Sequence, residues 1–144
     1  MGAFLLTISN RVVPNSILID WARIATSRTY SPYSEYSVGV ALMAMQPGNP
    51  EAKVFLGTNI ENISYGLTIC AERAAIFSAI SQGYTAMIEL VCMTHDGGTS
   101  CGACRQVMIE FSKDMSVFFI QEDGYVVLKT TPIELLPAPF IVKE

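Results

Sequence analysis

Three cysteines and a glutamate are the residues of this sequence best suited to metal-assisted chemistry. Cys101 and Cys104 form a Cys-x-x-Cys pair, and Cys70 precedes Glu72 by two residues in the segment TICAERAAIF. Thiolates three residues apart on a helical turn can reach one zinc ion. A third thiolate would leave the fourth tetrahedral position open for water, as in catalytic zinc sites. The pattern therefore predicts a zinc site formed by Cys70, Cys101 and Cys104.

The two charged residues after Cys70 suit such a site. Three thiolates give a zinc centre a net negative charge, which weakens it as a Lewis acid. Arg73 follows Cys70 by three residues, so it lies on the same side of a helix and can donate hydrogen bonds to sulfur. Glu72 can reach the adjoining pocket, where a carboxylate can act as a general acid and base. We therefore predict a catalytic role for Glu72 and charge compensation by Arg73.

Each of these residues also has a simpler interpretation. An isolated Cys-x-x-Cys pair is also typical of redox couples and closed zinc sites. Glu72 could merely stabilise a helix N-terminus, and Arg73 could be a surface residue. Cys92 lies in an apolar run typical of a buried strand. If Cys92 were instead a fourth zinc ligand, the site would be a structural four-cysteine centre and the protein an interaction module without enzymatic activity.

Hydrophobic periodicity predicts the elements that must position these residues. Helices are predicted over about 16–28, over 71–82 and in GACRQVMIEF, and strands in YSVGVALMAM, AKVFLGTNI, AMIELVCMT, SVFFIQ and YVVLKT, with a short helical turn in TPIELLPAPF. The apolar face of the first helix is predicted from Ile17, Trp21, Ile24, Ala25 and the aliphatic stem of Arg28.

The order of these elements indicates the fold class. Helix, two strands, helix, strand, helix and two strands predict an α/β protein, with a five-stranded sheet between helices on both faces. At 144 residues, the chain fits a single domain spanning 1–144. Each cysteine motif then falls where a loop or a strand leads into a helix.

Composition narrows the class of partner. The net charge is −4, and the sequence has no cluster of lysine and arginine, which disfavours nucleic acid and favours a small-molecule substrate. No apolar run approaches the length of about 20 residues that a membrane span needs. The opening MGAFLLTISN lacks the basic segment of a secretory signal. We therefore expect a cytoplasmic protein with reduced cysteines.

Taken together, these motifs resemble the cytidine deaminase family in the form that binds zinc through three cysteines. The resemblance rests on YSPYSEYSVGVAL, GTNIENISYGLTICAERAAI, CGACRQVMIEF and ELLPAPF, which are spread over most of the chain. It is closer to the small homotetrameric nucleoside deaminases than to the branch that edits RNA or DNA. It implies a three-layer α/β/α fold with a mixed sheet and one zinc ion per subunit. It also implies hydrolytic deamination of cytidine and deoxycytidine to uridine and deoxyuridine, in pyrimidine salvage.

The same resemblance implies roles for individual residues. Glu72 would move protons between water, N3 of the base and the leaving ammonia. Asn59 and Glu61 would bind the ribose hydroxyls, and the backbone of Ala71 and Thr99 would contact the polar edge of the base. From the residues alone, Asn59 and Glu61 would be interpreted as a polar turn.

Three aromatic residues complete the implied pocket. Tyr36 stands where the family commonly has a phenylalanine against the pyrimidine ring. Tyr65 and Phe140 match aromatics that neighbouring subunits contribute, so the pocket would require a homo-oligomer. Without the resemblance, such aromatics are more often core residues than ligand contacts.

Two serines depart from the family pattern. Ser100 replaces the proline that usually precedes the first cysteine of the Cys-x-x-Cys pair, and Ser37 also stands where proline is common. Because proline fixes φ, its replacement beside Thr99 leaves a modified or analogue nucleoside open as the substrate. His95, the single histidine, lies in a loop near the site and is given no role.

Overall fold

The computed structural model describes residues 13–142, so the prediction made on MGAFLLTISN lies outside the described residues. The helices are α1 (Ser16–Thr26), α2 (Ala71–Ser81), α3 (Gly102–Phe111) and the short α4 (Pro132–Leu135). The strands are β1 (Gly39–Met45), β2 (Ala52–Thr58), β3 (Ala86–Thr94), β4 (Ser116–Gln121) and β5 (Val126–Thr130), and a 3-10 turn covers Tyr65–Leu67. Within 13–142, no helix is long and apolar enough to cross a membrane.

The five strands form one mixed sheet in the order β2-β1-β3-β4-β5. The pair β3 and β4 is parallel and is joined through α3, whereas the other neighbouring pairs are antiparallel. Helix α1 packs on one face, and α2 packs on the other together with α3. The predicted three-layer α/β/α fold with a five-stranded mixed sheet is therefore confirmed.

Both faces of the central strands are apolar because each face is covered by a helix. In β3, Leu90 belongs to the core under α2 and α3, while Val91 belongs to the core under α1. Phe119 and Phe118 divide in the same way in β4. Successive side chains of a strand point to opposite faces. The continuous apolar runs that predicted buried strands follow from this double coverage.

The predicted apolar face of α1 was largely wrong. The buried side chains are Leu18, Ala22 and Ala25, so Ala25 alone was placed correctly. Ile17, Trp21 and Ile24 are exposed, and the helix ends at Thr26, before Arg28. Periodicity favoured Ile17, Trp21 and Ile24, but the helix turns Leu18 and two alanines toward the sheet, and the alanines allow close approach.

The direction of the strands explains why the two cysteine motifs meet. Strand β1 is antiparallel to both β2 and β3, so β2 and β3 run in the same direction. Gly39 at the start of β1 pairs with Thr58 at the end of β2 and with Met93 near the end of β3. The loops that lead into α2 and α3 therefore leave the same edge of the sheet. The segment before β1 enters at this edge too.

Helix α2 lies unusually close to strand β2 at one point. A Cβ atom added to Gly57 would overlap the backbone carbonyl of Ala71 and lie 2.6 Å from the amide nitrogen of Ala75. Glycine at 57 therefore allows the first turn of α2 to contact the strand backbone directly. This contact fixes the position of the helix start that follows Cys70.

Candidate active site

The three predicted metal ligands converge at the starts of two helices. The sulfur of Cys70 lies 3.8 Å from that of Cys101, which lies 3.6 Å from that of Cys104. All three sulfur atoms lie within 4.8 Å of one another. Thiolate sulfur is a preferred zinc ligand, and three thiolates around one point leave a fourth tetrahedral position. The donor set therefore fits a zinc ion.

Helix geometry favours thiolates at these positions. Cys70 is the N-cap of α2 and Cys101 is the N-cap of α3, and neither side chain makes a capping hydrogen bond. Both sulfurs are thus available to a metal, and each lies near the positive end of a helix dipole. Nη2 of Arg73 donates a hydrogen bond to Sγ of Cys70 at 3.2 Å. The predicted contact between Arg73 and a ligand sulfur is present.

Cys70 and Cys104 form a closely coupled pair of thiols. The hydrogen bond with Cys104 lowers the pKa of Cys70, burial acts against this, and Arg73 lowers the pKa further. The pKa of Cys104 is raised by the same hydrogen bond and by burial. Zinc is bound by thiolates, so metal binding at this cluster would displace the protons of its thiols.

Glu72 lies against the cysteines in a nearly closed environment. Its side chain is 4% exposed, and Sγ of Cys104 donates to its Oε2 at 3.6 Å. Burial raises the pKa of Glu72, and the nearby charge of Cys70 raises it further. A carboxyl group that takes up a proton more readily than usual suits general acid and base work.

A pocket of about 240 Å³ opens beside the cysteines and Glu72. Its wall combines residues from the loops before β1, α2 and α3 with the ends of β2 and β3. The lining residues that were predicted to bind substrate are Tyr36, Asn59, Ala71 and Thr99. Cys92 also lines the pocket, but it lies outside the sulfur cluster. Among the described residues, the cluster thus contains three thiols, which does not support the structural four-cysteine alternative.

Asn59 and Glu61, although two residues apart, lie in different depressions of the surface. The amide of Asn59 accepts from the Val38 amide at 2.9 Å and donates to the Tyr36 carbonyl at 2.8 Å. An amide retains a second N–H and a second lone pair, so hydrogen-bonding capacity toward the pocket remains. Glu61 does not line this pocket. It lies in an adjoining depression that also contains Tyr65 and shares Thr68 with the pocket.

Glu61 makes its hydrogen bonds to the segment before β1. Its carboxylate accepts from the backbone amides of Tyr33 and Ser34 at 2.8 and 3.2 Å, and it also contacts the Ser34 hydroxyl. The hydrogen bond from the Ser34 side chain holds the pKa of Glu61 below its ordinary value, with further lowering by these two amides. Within one chain, Glu61 therefore organises a loop next to the pocket.

Comparison with known proteins identifies the family. The model of the "Cytidine and deoxycytidylate deaminase zinc-binding region" matches residues 15–120. The cytidine deaminase of Halalkalibacterium halodurans is 42% identical over 131 residues, covering 89% of this chain and 95% of that protein. The chain belongs to the cytidine and deoxycytidylate deaminase family. Its Cys70, Cys101 and Cys104 cluster is positioned to bind the family's zinc ion.

Two further comparisons indicate how far the similarity to other deaminases extends. The crystal structure of cytidine deaminase from Burkholderia pseudomallei superposes with a TM-score of 0.79 and 39% identity, covering 89% of this chain and all of that one. A more distant relative, the blasticidin-S deaminase of Bacillus cereus, is 26% identical over 134 residues, covering 85% of this chain and 91% of that protein. The deaminase similarity therefore extends well beyond the zinc motifs.

The two aromatics expected from neighbouring subunits of this deaminase lie outside the pocket of their own chain. Tyr65 is 74% exposed and Phe140 is 80% exposed. Tyr65 packs edge-on against Tyr33, with the ring centres 5.9 Å apart. The carbonyl of Phe140 accepts a hydrogen bond from Gln106 at 2.9 Å. Their proposed role in a neighbouring pocket stays a prediction.

Arg105, which was not predicted from the sequence, forms hydrogen bonds to the segment that contains Thr99 and Ser100. Its guanidinium donates to the Ser100 carbonyl at 3.0 Å, the Leu135 carbonyl at 3.1 Å and the Thr99 hydroxyl at 3.4 Å. The segment that presents Thr99 is thereby tied to α3 and to the end of α4. Its position directly after Cys104 was the available signal, because α3 brings the first helical turn next to the preceding loop.

Proposed function

We propose that this deaminase hydrolyses free cytidine and deoxycytidine to uridine and deoxyuridine, with release of ammonia, in pyrimidine salvage. The observation that carries the proposal is the cluster of three sulfurs within 4.8 Å, with Oε2 of the buried Glu72 at 3.6 Å from Cys104. The named cytidine deaminases among its relatives support the choice of substrate.

One zinc ion per subunit would be held by Cys70, Cys101 and Cys104. Bound zinc supplies Lewis acidity, which makes water a usable nucleophile at neutral pH. Arg73 offsets the negative charge of the three thiolates through its contact with Cys70. The helix dipoles at Cys70 and Cys101 act in the same direction. Arg73 and the helix dipoles would thus preserve the Lewis acidity of a zinc ion bound by three thiolates.

Glu72 would be the catalytic residue that moves protons. In its carboxylate form it takes a proton from water, and as a carboxylic acid it gives one to N3 of the base and later assists the departing ammonia. The raised pKa of Glu72 favours this exchange between two forms. Its burial excludes bulk water that would compete for the proton.

Substrate binding would use the residues around the pocket. The backbones of Ala71 and Thr99 would contact the polar edge of the base, and the Tyr36 ring would pack against it. Asn59 would bind a ribose hydroxyl with its remaining hydrogen-bonding capacity. Glu61 would bind the other ribose hydroxyl from the adjoining depression, which shares Thr68 with the pocket. It would also keep its hydrogen bonds to the segment before β1.

The assembly and location belong to the same proposal. We infer a single domain over residues 1–144 that forms a homotetramer, in which Tyr65 and Phe140 of one subunit complete the pocket of another. Their high exposure supports this role. Three metal-binding thiols need a reducing compartment, which supports a cytoplasmic location. The net charge of −4 supports a free nucleoside over RNA or DNA as the substrate.

The decisive experiment is the change Glu72→Gln in zinc-loaded protein. We expect kcat to fall by at least about 10²–10⁴-fold, because the amide cannot move protons, while bound zinc stays near one per subunit. Loss of absorbance on cytidine deamination gives the rate, and elemental analysis gives the metal. Glu51→Gln, at an exposed turn, is the matched control. Activity of the Glu72 variant within tenfold of the unmodified protein would contradict the assigned role.

A second candidate is deamination of a modified or analogue nucleoside on the same scaffold. The Tyr36 hydroxyl at the pocket wall favours it. The test is the same ultraviolet assay with a panel of free aminated nucleosides, including blasticidin S. Turnover of another member of the panel with cytidine and deoxycytidine untouched would select this candidate.

A further inference from the structure

The loop between β3 and α3 is tied to the opposite side of the pocket by one hydrogen bond. The hydroxyl of Tyr36 donates to Oδ1 of Asp96 at 2.6 Å, although the two residues are 60 positions apart. The same oxygen accepts from the Thr94 hydroxyl at 3.0 Å and from the Gly98 amide at 3.1 Å. Asp96 therefore joins the segment before β1 to the loop that precedes Thr99.

The loop leaves space for the Tyr36 hydroxyl at Gly98, which has no side chain. A Cβ added to Gly98 would lie 2.5 Å from the Tyr36 hydroxyl oxygen, which is closer than real Cβ contacts allow. The His95 ring packs edge-on against the Tyr36 ring, with their centres 5.1 Å apart. Three features of the loop, namely a ring contact, an acceptor and a missing side chain, are thus matched to Tyr36.

The electrostatics of the bond are those of a charged acceptor. The hydrogen bond from Tyr36 holds the pKa of Asp96 below its ordinary value, and the Thr94 hydroxyl lowers the pKa further, while a small loss of hydration acts the other way. A phenol that donates to a carboxylate makes a shorter and stronger bond than one to a neutral acceptor. The bond is therefore suited to hold the loop.

The held loop forms part of the substrate pocket. Thr94, Gly98 and Thr99 all line the pocket that contains the cysteines, and so does Tyr36. The Gly98 amide also donates to the Thr94 hydroxyl at 2.8 Å, which closes the loop on itself. A closed loop moves as a unit, so a single bond at Asp96 can set the position of the wall at Gly98 and Thr99.

We propose that Asp96 is a positioning residue and that the Tyr36 hydroxyl is a determinant of substrate binding, because together they fix the Gly98–Thr99 wall against the base. This inference rests on the proposed function for its kinetic consequence. It assigns the hydroxyl of Tyr36 a role distinct from that of its ring, which would pack against the base under the proposed function. A wall used equally in the ground state and the transition state affects KM more than kcat.

The first test is a double-mutant cycle on zinc-loaded protein with Tyr36→Phe, Asp96→Ala and the two combined. We expect each single change to raise KM for cytidine by about 5- to 30-fold, below the full effect of a hydrogen bond to a charged group because Asp96 is exposed to solvent, with kcat within about threefold. The combined variant should be no worse than the more affected single one, because both changes remove the same bond. Asp96→Asn retains an acceptor oxygen and should restore most of the binding. Tyr125→Phe, at an exposed tyrosine, is the control.

The second test uses the fit between Gly98 and the hydroxyl. Gly98→Ala should raise KM in the presence of Tyr36, because the new Cβ would collide with the hydroxyl oxygen. Combined with Tyr36→Phe, the same change should cost less, because the nearest remaining atoms are Oδ1 of Asp96 at 3.3 Å, on an exposed side chain, and the Tyr36 ring carbon at 3.7 Å. A simple packing defect would instead add to the effect of Tyr36→Phe, and that outcome would overturn the proposed match.

A third measurement does not depend on turnover. Amide hydrogen exchange at Gly98 and Thr99 should accelerate in Tyr36→Phe and Asp96→Ala, and stay unchanged in Tyr125→Phe. If the unmodified protein deaminates no nucleoside, the proposed function fails, while exchange still tests the anchoring of the loop. If KM and exchange both stay unchanged in the variants, the inference is wrong. Faster exchange with an unchanged KM would also overturn it, because the loop would then not position the base.

Discussion

The starts of α2 and α3 contain the same two residue types, a cysteine and an arginine, but the two arginines make different contacts. Each helix has a cysteine as its N-cap without a capping hydrogen bond, and each carries an arginine in its first turns. Arg73 follows Cys70 by three residues and donates to its sulfur. Arg105 follows Cys101 by four residues and donates to three oxygens, two of the backbone and one of the Thr99 side chain. Arg73 thus contacts a ligand sulfur, whereas Arg105 contacts the loop before α3 and the end of α4.

This difference shows that one residue of spacing can change the task of a side chain. Positions three and four residues after an N-cap lie on adjacent but distinct sides of a helix. At α2 that side faces the metal ligand, whereas at α3 it faces the preceding loop and α4. Chemistry and geometry can therefore be tested separately by changing one arginine at a time.

The largest expected effect comes from removing the sulfur of Cys104, which lies in the first turn of α3 and also contacts Glu72 of α2. Cys104→Ala should reduce bound zinc from one per subunit to nearly none and abolish deamination, because two thiolates hold zinc poorly. Cys92→Ala, which removes a buried thiol outside the cluster, should retain the metal. Elemental analysis of purified protein checks both. Loss of zinc from the Cys92 variant would return the structural four-cysteine site as the better interpretation.

Arg73→Gln should have the next largest effect, and it should fall on kcat. Removing a charged donor 3.2 Å from Cys70 should slow turnover by about 10- to 100-fold, in keeping with the strength of hydrogen bonds to charged groups. Arg73→Lys keeps the charge and should be intermediate. Steady-state kinetics on samples with matched zinc content provide the measurement. An unchanged kcat with full zinc occupancy would show that the charge of Arg73 is not needed.

Arg105→Gln should have a smaller effect of a different kind. We expect KM to rise by about 5- to 30-fold with kcat within about threefold, because the Thr99 segment loses its support while the zinc site is unaltered. Arg105→Lys lacks the planar fork and should rescue only part of the loss. The same kinetic assay compares it with Arg73→Gln. A fall in kcat as large as that of the Arg73 variant would erase the contrast between the two helix starts.

The smallest expected change is a gain in stability at Ser100. Its side-chain oxygen is buried and has no hydrogen-bond partner among the described residues, so Ser100→Ala should stabilise the fold by about 1 kcal/mol. Thermal unfolding of the zinc-loaded protein measures it, with Ser112→Ala as a contrasting change, because the Ser112 hydroxyl accepts from the Met115 amide. Destabilisation by Ser100→Ala would indicate that the hydroxyl makes a stabilising hydrogen bond in the folded protein.

The sequence predicted much of the fold because its signals were local. Strand β3, strand β4 and helix α3 follow the predicted segments, since apolar runs and a helical period are readable within ten residues. The face of α1 could not be predicted from periodicity, because Ile17 and Trp21 outweigh Ala22 in any hydrophobic pattern. What turns Ala22 inward is the closeness of the sheet, which is a property of the packed structure.

The candidate site shows the same division. The pairing of Cys101 with Cys104 and the contact of Arg73 with Cys70 could be predicted from spacing, because each depends on one turn of helix. That Cys70 joins the pair depends on the sheet edge, and the resemblance supplied it. The pairing of Tyr36 with Asp96 depends on two loops that meet only at the sheet edge, so nothing in either segment predicts it. Glu61 was assigned to a ribose hydroxyl by the resemblance alone, and within one chain its hydrogen bonds go to Tyr33 and Ser34.

The contact between Gly57 and the first turn of α2 bears on how sequence variants of this protein should be interpreted. Gly57 lies within β2 and carries no group that could touch a substrate or a metal. Any side chain there must push against the backbone of Ala71 and Ala75, and with it the turn that follows Cys70. A substitution at Gly57 should therefore produce the loss of zinc and activity usually ascribed to a ligand mutation. In a mutational scan, this strand position would be grouped with the active site although it takes no part in the chemistry.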